Sequence, residues 1–139
     1  MKIFYTSVAT ATGDGRENGH VRSSDGVIDV EIAVPVELGG KGGATNPEQL
    51  FAAGYSACFL NALRRVARRA GADVDGTEVT AEVGIGAAGE GAFGLAVTLR
   101  VLMPNVERDR AGELVAAAHK VCPYSNATRG NIEVALTIV

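Results

Sequence analysis

The stretch Asn46–Gly71, NPEQLFAAGYSACFLNALRRVARRAG, constrains this chain more than any other. Asn46 suits a helix N-cap, Pro47 the first helical position, and Gln49 stands three after the cap, a weak capping box. Between Leu50 and Leu63 only Ser56 and Asn61 are polar. A helix so apolar around its circumference requires cover on most faces. Arg64, Arg65, Arg68 and Arg69 gather at its far end, where cations suit the helix dipole, and Gly71 can close it. A cysteine, Cys58, lies in the middle.

Covering such a helix on all sides strains a chain of 139 residues, so a partner subunit over one side is expected. One domain, residues 1–139, is the expectation for this length. The formal charge of 13 − 16 = −3 argues against a general nucleic-acid binder, and the arginine cluster reads as a solvated helix end. The opening MKIFYTSVATATG lacks the apolar core of a signal peptide, and no apolar run is long enough to span a bilayer. A cytoplasmic, reducing location is therefore expected. Two cysteines there are more often free, catalytic or redox-active than a permanent staple.

In chain order, Ile3–Thr10 reads as a first strand and Thr12–Gly19 as a glycine-rich loop holding Arg16. His20–Ser24 and Val27–Val34 flank Asp25-Gly26, a strong hairpin signal. Leu38–Thr45, LGGKGGAT, connects to the central helix and lacks the spacing of a phosphate-binding loop. Thr77–Ile85 and Phe93–Met103 both alternate as strands. Gly84 to Gly89 spells G-x-G-x-x-G, but a dinucleotide fingerprint must open a helix, and these glycines lead into another strand, so a hairpin turn is the better account. Asp109–Val121 has helical spacing at Ala111, Leu114, Ala118 and Val121. Pro123 disfavours helical geometry at Cys122, so the second cysteine marks a helix end. Ile132–Ile138 alternates in a last strand. The order β-β-β-α-β-β-α-β is α+β, mostly antiparallel sheet packed on helices around the long central one.

Three readings of the cysteines stay open on the residues alone. They can be buried structural thiols, since cysteine often acts as a small hydrophobe. With His20 and His119 they make four potential zinc ligands, though without the close spacing of structural sites. They can be a redox pair. An apolar site raises a thiol pKa and makes it inert, so a reactive Cys58 needs a cation to hold it as thiolate. Arg16, in a glycine-flanked loop, can supply that charge. A guanidinium in an apolar site needs its own anion, which Glu48 can provide through a bidentate contact. As bland alternatives, Glu48 is an acid in a first helical turn and Arg16 an exposed loop charge.

The segments NPEQLFAAGYSACF, EVGIGAAGEGAFGLAVTL and VCPYSNATRGNI, together with YTSVATATGDGR, SSDGVIDV and LGGKGGATNPEQL, resemble the organic hydroperoxide resistance (Ohr) branch of the OsmC/Ohr family. The resemblance covers essentially the whole chain. Small departures are a slightly lengthened loop after Arg16 (ENGH) and Leu60, where members commonly carry histidine. The resemblance implies the OsmC/Ohr fold in an intertwined homodimer, with two active sites at the subunit interface. It implies a thiol-dependent peroxidase, an organic hydroperoxide reductase that turns organic and lipid hydroperoxides into alcohols in defence against oxidative stress. Cys58 would be the peroxidatic and Cys122 the resolving cysteine, with Arg16 and Glu48 the charged pair beside the thiol. A lipoylated protein or dihydrolipoamide would be the reductant. No cofactor, metal, nucleic acid or membrane is implied.

Apolar groups near Cys58, namely Phe51, Tyr55 and Phe59, would favour organic over hydrogen peroxide; their bland role is core packing. Glu48 and Cys58 are ten residues apart, about 15 Å along an unbroken helix. Arg16 and Glu48 are therefore expected to reach Cys58 from the other subunit. Two rival readings remain: a general thiol-disulfide oxidoreductase, disfavoured by the lack of C-x-x-C, and a dimeric binder of apolar ligands with packed thiols.

Overall fold

A computed structural model describes residues 1–139. The chain divides into two compact units, Met1–Leu50 and Phe51–Val139.

In the first unit, β1 (Ala9–Gly13), β2 (Gly19–Ser23) and β3 (Asp29–Ile32) form an antiparallel sheet in that order. The hairpin at Asp25-Gly26 is present as the sequence suggests: Asp25 Oδ1 accepts from Ser23 Oγ at 2.6 Å and from the Val27 amide at 3.0 Å. The β1–β2 turn is tight at Gly19, where a Cβ would lie 2.2 Å from the Gly15 carbonyl oxygen, so any larger residue forces the turn open.

The expected first strand, Ile3–Thr10, is corrected to Ala9–Gly13. Ala9 pairs with Ser23, the last residue of β2, and the Ser24 amide donates to the Val8 carbonyl at 2.9 Å. Beyond that bond β2 has turned away, so the preceding residues have no strand to pair with in this chain. Ile3, Phe4, Tyr5 and Val8 are left exposed despite their apolar character.

After β3 the connection contains one 3₁₀ turn, Val36–Leu38. Thr45 returns to the sheet through a parallel bridge to Ile32, with the Ala33 amide donating to its carbonyl at 2.9 Å. That bridge delivers the chain to helix α1 (Pro47–Arg69). Asn46 Oδ1 accepts from the Gln49 amide at 2.9 Å, the cap the sequence indicates.

In the second unit, β4 (Glu78–Gly89), β5 (Ala92–Leu102) and β6 (Val134–Ile138) form a sheet in that order. β4 and β5 are a long antiparallel hairpin, but β4 runs on to Gly89, so Gly84 and Gly86, expected in the turn, are paired within the strand and the turn falls at Glu90-Gly91. β5 and β6 run parallel, which demands a crossover. The crossover consists of α2 (Arg108–Val121) and α3 (Pro123–Thr128). α3 escapes a periodicity reading because six residues hold less than two turns.

The core of this unit is Tyr55, Phe59, Leu63 and Ala67 of α1, four residues apart on one face, against Val97, Leu99 and Val101 of β5 and Ala111, Leu114, Val115 and Ala118 of α2. Each large side chain so buried stabilises by roughly 1.5–3 kcal/mol. The opposite face of α1, with Ala53, Ala57, Asn61 and Arg65, is exposed in the single chain. The expectation that most faces are covered is thus met on one side only. No helix is long and apolar enough to cross a membrane.

Candidate active site

Both cysteines belong to the second unit. Pro123 opens α3 and leaves Cys122 extended, φ −66° and ψ 125°, between two helices. The Cys122 amide still donates to the Ala118 carbonyl and its carbonyl accepts from the Asn126 amide, both at 2.9 Å. Cys122 is therefore held at an elbow by backbone bonds on either side, and its side chain is fully buried. The elbow aims its sulfur at α1, where it stops 3.6 Å from Cys58 Sγ. Both thiols are free. A disulfide bond is about 2.05 Å long, so roughly 1.5 Å of further approach would join them.

Burial pushes the Cys58 thiol above its ordinary pKa; the Tyr124 amide opposes this, and the neighbouring Cys122 sulfur adds to it. No cation is among the groups that set its titration within this chain.

Tyr124, one residue past the proline, also packs its ring into an aromatic group. Its centroid lies 5.6 Å from Tyr55 and 6.1 Å from Phe51, and Phe51 and Tyr55 meet edge-on at 6.0 Å. Gly54 permits this approach, since a Cβ there would sit 2.8 Å from the Tyr124 hydroxyl oxygen. Phe51 and Tyr124 line an apolar cleft of about 300 Å³ with Ala127, Thr128 and Ile132. Of the apolar residues singled out from sequence, Phe51 reaches this cleft. Tyr55 and Phe59 have no exposed surface and lie in the core.

Arg16 and Glu48 meet in the first unit. Arg16 Nη1 and Nη2 donate to Glu48 Oε2 and Oε1 at 2.9 and 2.5 Å, the bidentate geometry expected of them. Glu48 stands in the first turn of α1 and Arg16 in the β1–β2 turn. The Arg16 guanidinium holds the Glu48 carboxyl below the usual carboxylate range, and Glu48 raises Arg16 in return. The site residues thus form two pairs, one of sulfurs and one of charges.

The zinc quartet does not assemble. Both His20 ring nitrogens are taken, Nε2 by Asp29 Oδ1 at 2.6 Å and Nδ1 by Glu31 Oε1 at 2.7 Å. His119 Nδ1 bonds Ser125 Oγ at 2.8 Å. Tyr124, Ser125 and Thr128 were not evident in sequence; the one available signal was the Cys-Pro step that starts a new helix and carries them back to α1.

An OsmC-like protein family model matches residues 40–137. The chain is 51% identical over 139 residues to an organic hydroperoxide resistance protein of Xanthomonas axonopodis pv. citri, covering 99% of this chain and 96% of that protein. The chain belongs to the OsmC/Ohr family. Solved structures within the Ohr branch agree along its length. An organic hydroperoxide resistance protein from Elizabethkingia anophelis has a TM-score of 0.94 at 53% identity, covering 99% of this chain and 98% of that one. A putative one from Vibrio cholerae, with captopril bound in one of its active sites, has a TM-score of 0.92 at 48% identity, covering 99% and 94%. The Ohr fold is therefore that of this chain, and its sulfur pair lies within the span that the family model matches.

Proposed function

We propose that this chain is a thiol peroxidase that reduces organic hydroperoxides, with Cys58 peroxidatic and Cys122 resolving. The observation that carries the reading is the 3.6 Å separation of two free thiols, one half-buried on a helix face and the other on a helix elbow. The names of its relatives support the substrate class. Cys58 thiolate attacks the terminal oxygen of the hydroperoxide; the O–O bond breaks and the alkoxide leaves, to be protonated to an alcohol. Cys58 is then a sulfenic acid, which Cys122 converts to a disulfide with release of water. A dihydrolipoyl dithiol, free or on a protein, reduces that disulfide by exchange through a mixed disulfide. The cleft beside Phe51 and Tyr124 supplies apolar contact for the organic group.

The thiolate requires a positive charge, because burial alone leaves Cys58 protonated. We assign that charge to Arg16 oriented by Glu48, delivered by the partner subunit of a homodimer. Three features support this: α1 is one unbroken helix from Pro47 to Arg69, its outer face is uncovered, and the apolar residues Ile3–Tyr5 lack a partner within the chain. The relative from Vibrio cholerae has more than one active site by its description. The setting is a reducing cytoplasm.

The test is mass spectrometry after one equivalent of cumene hydroperoxide. A loss of about two hydrogen masses, located to a Cys58–Cys122 peptide and restored by dihydrolipoamide, is expected for the sulfenic-acid-to-disulfide route. An unchanged mass would leave an apolar-ligand binder with packed thiols. Turnover of protein disulfides but not hydroperoxides would make it a disulfide oxidoreductase.

A further inference from the structure

Behind the two sulfurs lies a buried chain of hydrogen bonds that no step above uses. Ser125 Oγ lies 2.8 Å from His119 Nδ1 and 3.0 Å from the Tyr55 hydroxyl, which lies 3.2 Å from Thr128 Oγ1. Tyr55 and Ser125 are fully buried and Thr128 almost so. Three of these residues stand three positions from a cysteine: Tyr55 before Cys58 on α1, His119 before Cys122 on α2, and Ser125 after Cys122 on α3. Three positions is nearly one helical turn, so Tyr55 shares a side of α1 with Cys58, while His119 and Ser125 flank the elbow that holds Cys122. The bonds therefore tie together the three helices that set the distance between the two sulfurs. From outside, Arg129 donates to the His119 carbonyl at 2.5 Å and to Asn126 Oδ1 at 2.8 Å, closing the elbow.

The chain is internally consistent. Burial and the Arg129 charge hold His119 below its usual pKa, hence neutral at neutral pH. Protons can then run from His119 Nδ1 to Ser125 Oγ, from Ser125 to the Tyr55 hydroxyl, from Tyr55 to Thr128 Oγ1, and from Thr128 to the Ser125 carbonyl at 3.2 Å, with every donor used once. Apolar side chains of the same volume would fill this space without the risk of an unpaired polar group. Directional bonds add what apolar packing lacks, a fixed angle and register between the helices.

We propose that His119, Ser125, Tyr55 and Thr128 position Cys122 for the resolving step. The proposal rests on the peroxidase reading. In that step an S–S bond forms between Cys122 and Cys58, the S–O bond of the sulfenic acid breaks, and hydroxide leaves with the thiol proton as water. The sulfurs must still close from 3.6 Å to about 2.05 Å. A loosened elbow lengthens that path, whereas the first step makes no bond to Cys122.

The experiment separates the two steps in a single turnover of the full-length protein. Loss of cumene hydroperoxide reports sulfenic acid formation; quenched mass spectra with a dimedone trap report disulfide closure. Ser125→Ala, and His119→Phe, which keeps a ring against Phe59, are expected to consume peroxide at close to the wild-type rate. They are expected to close the disulfide about tenfold more slowly or worse, with trapped sulfenic acid accumulating. His119→Asn, which retains a polar atom near Nδ1, is expected to recover much of the closure rate. Folding is checked by thermal midpoint; if Ser125→Ala does not fold, the two His119 variants decide. Wild-type closure rates in the folded variants would overturn the proposal, and so would His119→Asn closing no faster than His119→Phe. A wild-type protein that never forms the disulfide would instead remove the peroxidase reading and this proposal with it.

Discussion

The sulfur of Cys122 rests 3.6 Å from that of Cys58, although 64 positions separate the two residues in the chain. One is placed by a helix face, the other by a proline that breaks a helix. Their closeness makes the division of labour between them testable.

Cys58→Ser is expected to abolish turnover of tert-butyl or cumene hydroperoxide. Cys122→Ser should still complete one oxidation and then stall or over-oxidise to the sulfinic acid, visible as a mass gain. Full activity in both variants would contradict the assignment.

Alkylation of Cys58 by iodoacetamide reads its thiolate directly. Burial raises this thiol above its ordinary value, so a midpoint below about 8.5 in the wild-type protein calls for a cation beside it. Arg16→Ala should move the midpoint up, past the ordinary value. An unchanged pH profile would remove Arg16 from the site.

The Arg16–Glu48 pair predicts an acid limb in stability. The Glu48 carboxyl is held below its unfolded value, so its contribution is complete above about pH 4.3 and is lost as the pH falls through the depressed folded value. Urea midpoints measured between neutral pH and pH 3 should fall less in Glu48→Gln than in the wild-type protein. The difference will be small, because the side chain of Arg16 is 41% exposed. Parallel curves would mean that the pair adds nothing to stability.

Gly54 marks where Tyr124 presses on α1. In Gly54→Ala the new methyl would meet the Tyr124 hydroxyl oxygen at 2.8 Å and ring carbons at 3.2 and 3.3 Å. Tyr124 is partly exposed and can swing out, so stability should change by less than about 1 kcal/mol, with alanine's helix preference offsetting part of the cost. The cleft should change shape, seen as a higher KM for cumene hydroperoxide relative to tert-butyl hydroperoxide. An unaltered ratio of the two would place the substrate elsewhere.

Phe59→Ala should destabilise by about 3–5 kcal/mol in chemical denaturation, because its fully buried ring would leave a cavity. A loss under about 1 kcal/mol would show that the second unit repacks freely around α1.

Much of the fold could be read along the chain. The α1 stretch and its Asn46 cap lay where spacing put them, and the β4–β5 pairing was expected, although β4 runs four residues beyond Ile85 to Gly89. The first strand was misplaced because apolar alternation marks which residues can pair but not where a partner strand stops; Ser23 decided that. Helix α3 was invisible because it is shorter than two turns, and with it went Tyr124, Ser125 and Thr128.

The order of residues alone determined the long apolar helix, the proline-terminated second helix and the resemblance that singled out Cys58, Cys122, Arg16 and Glu48. Periodicity and capping are local properties, set within a turn or two of each residue. Only the tertiary structure decided that Cys122 meets Cys58 sulfur to sulfur and that Ser125 bridges His119 and Tyr55. Those contacts depend on how α2 and α3 return across the sheet to α1, and that path is set by the packing of a shared core, which no short window of sequence contains.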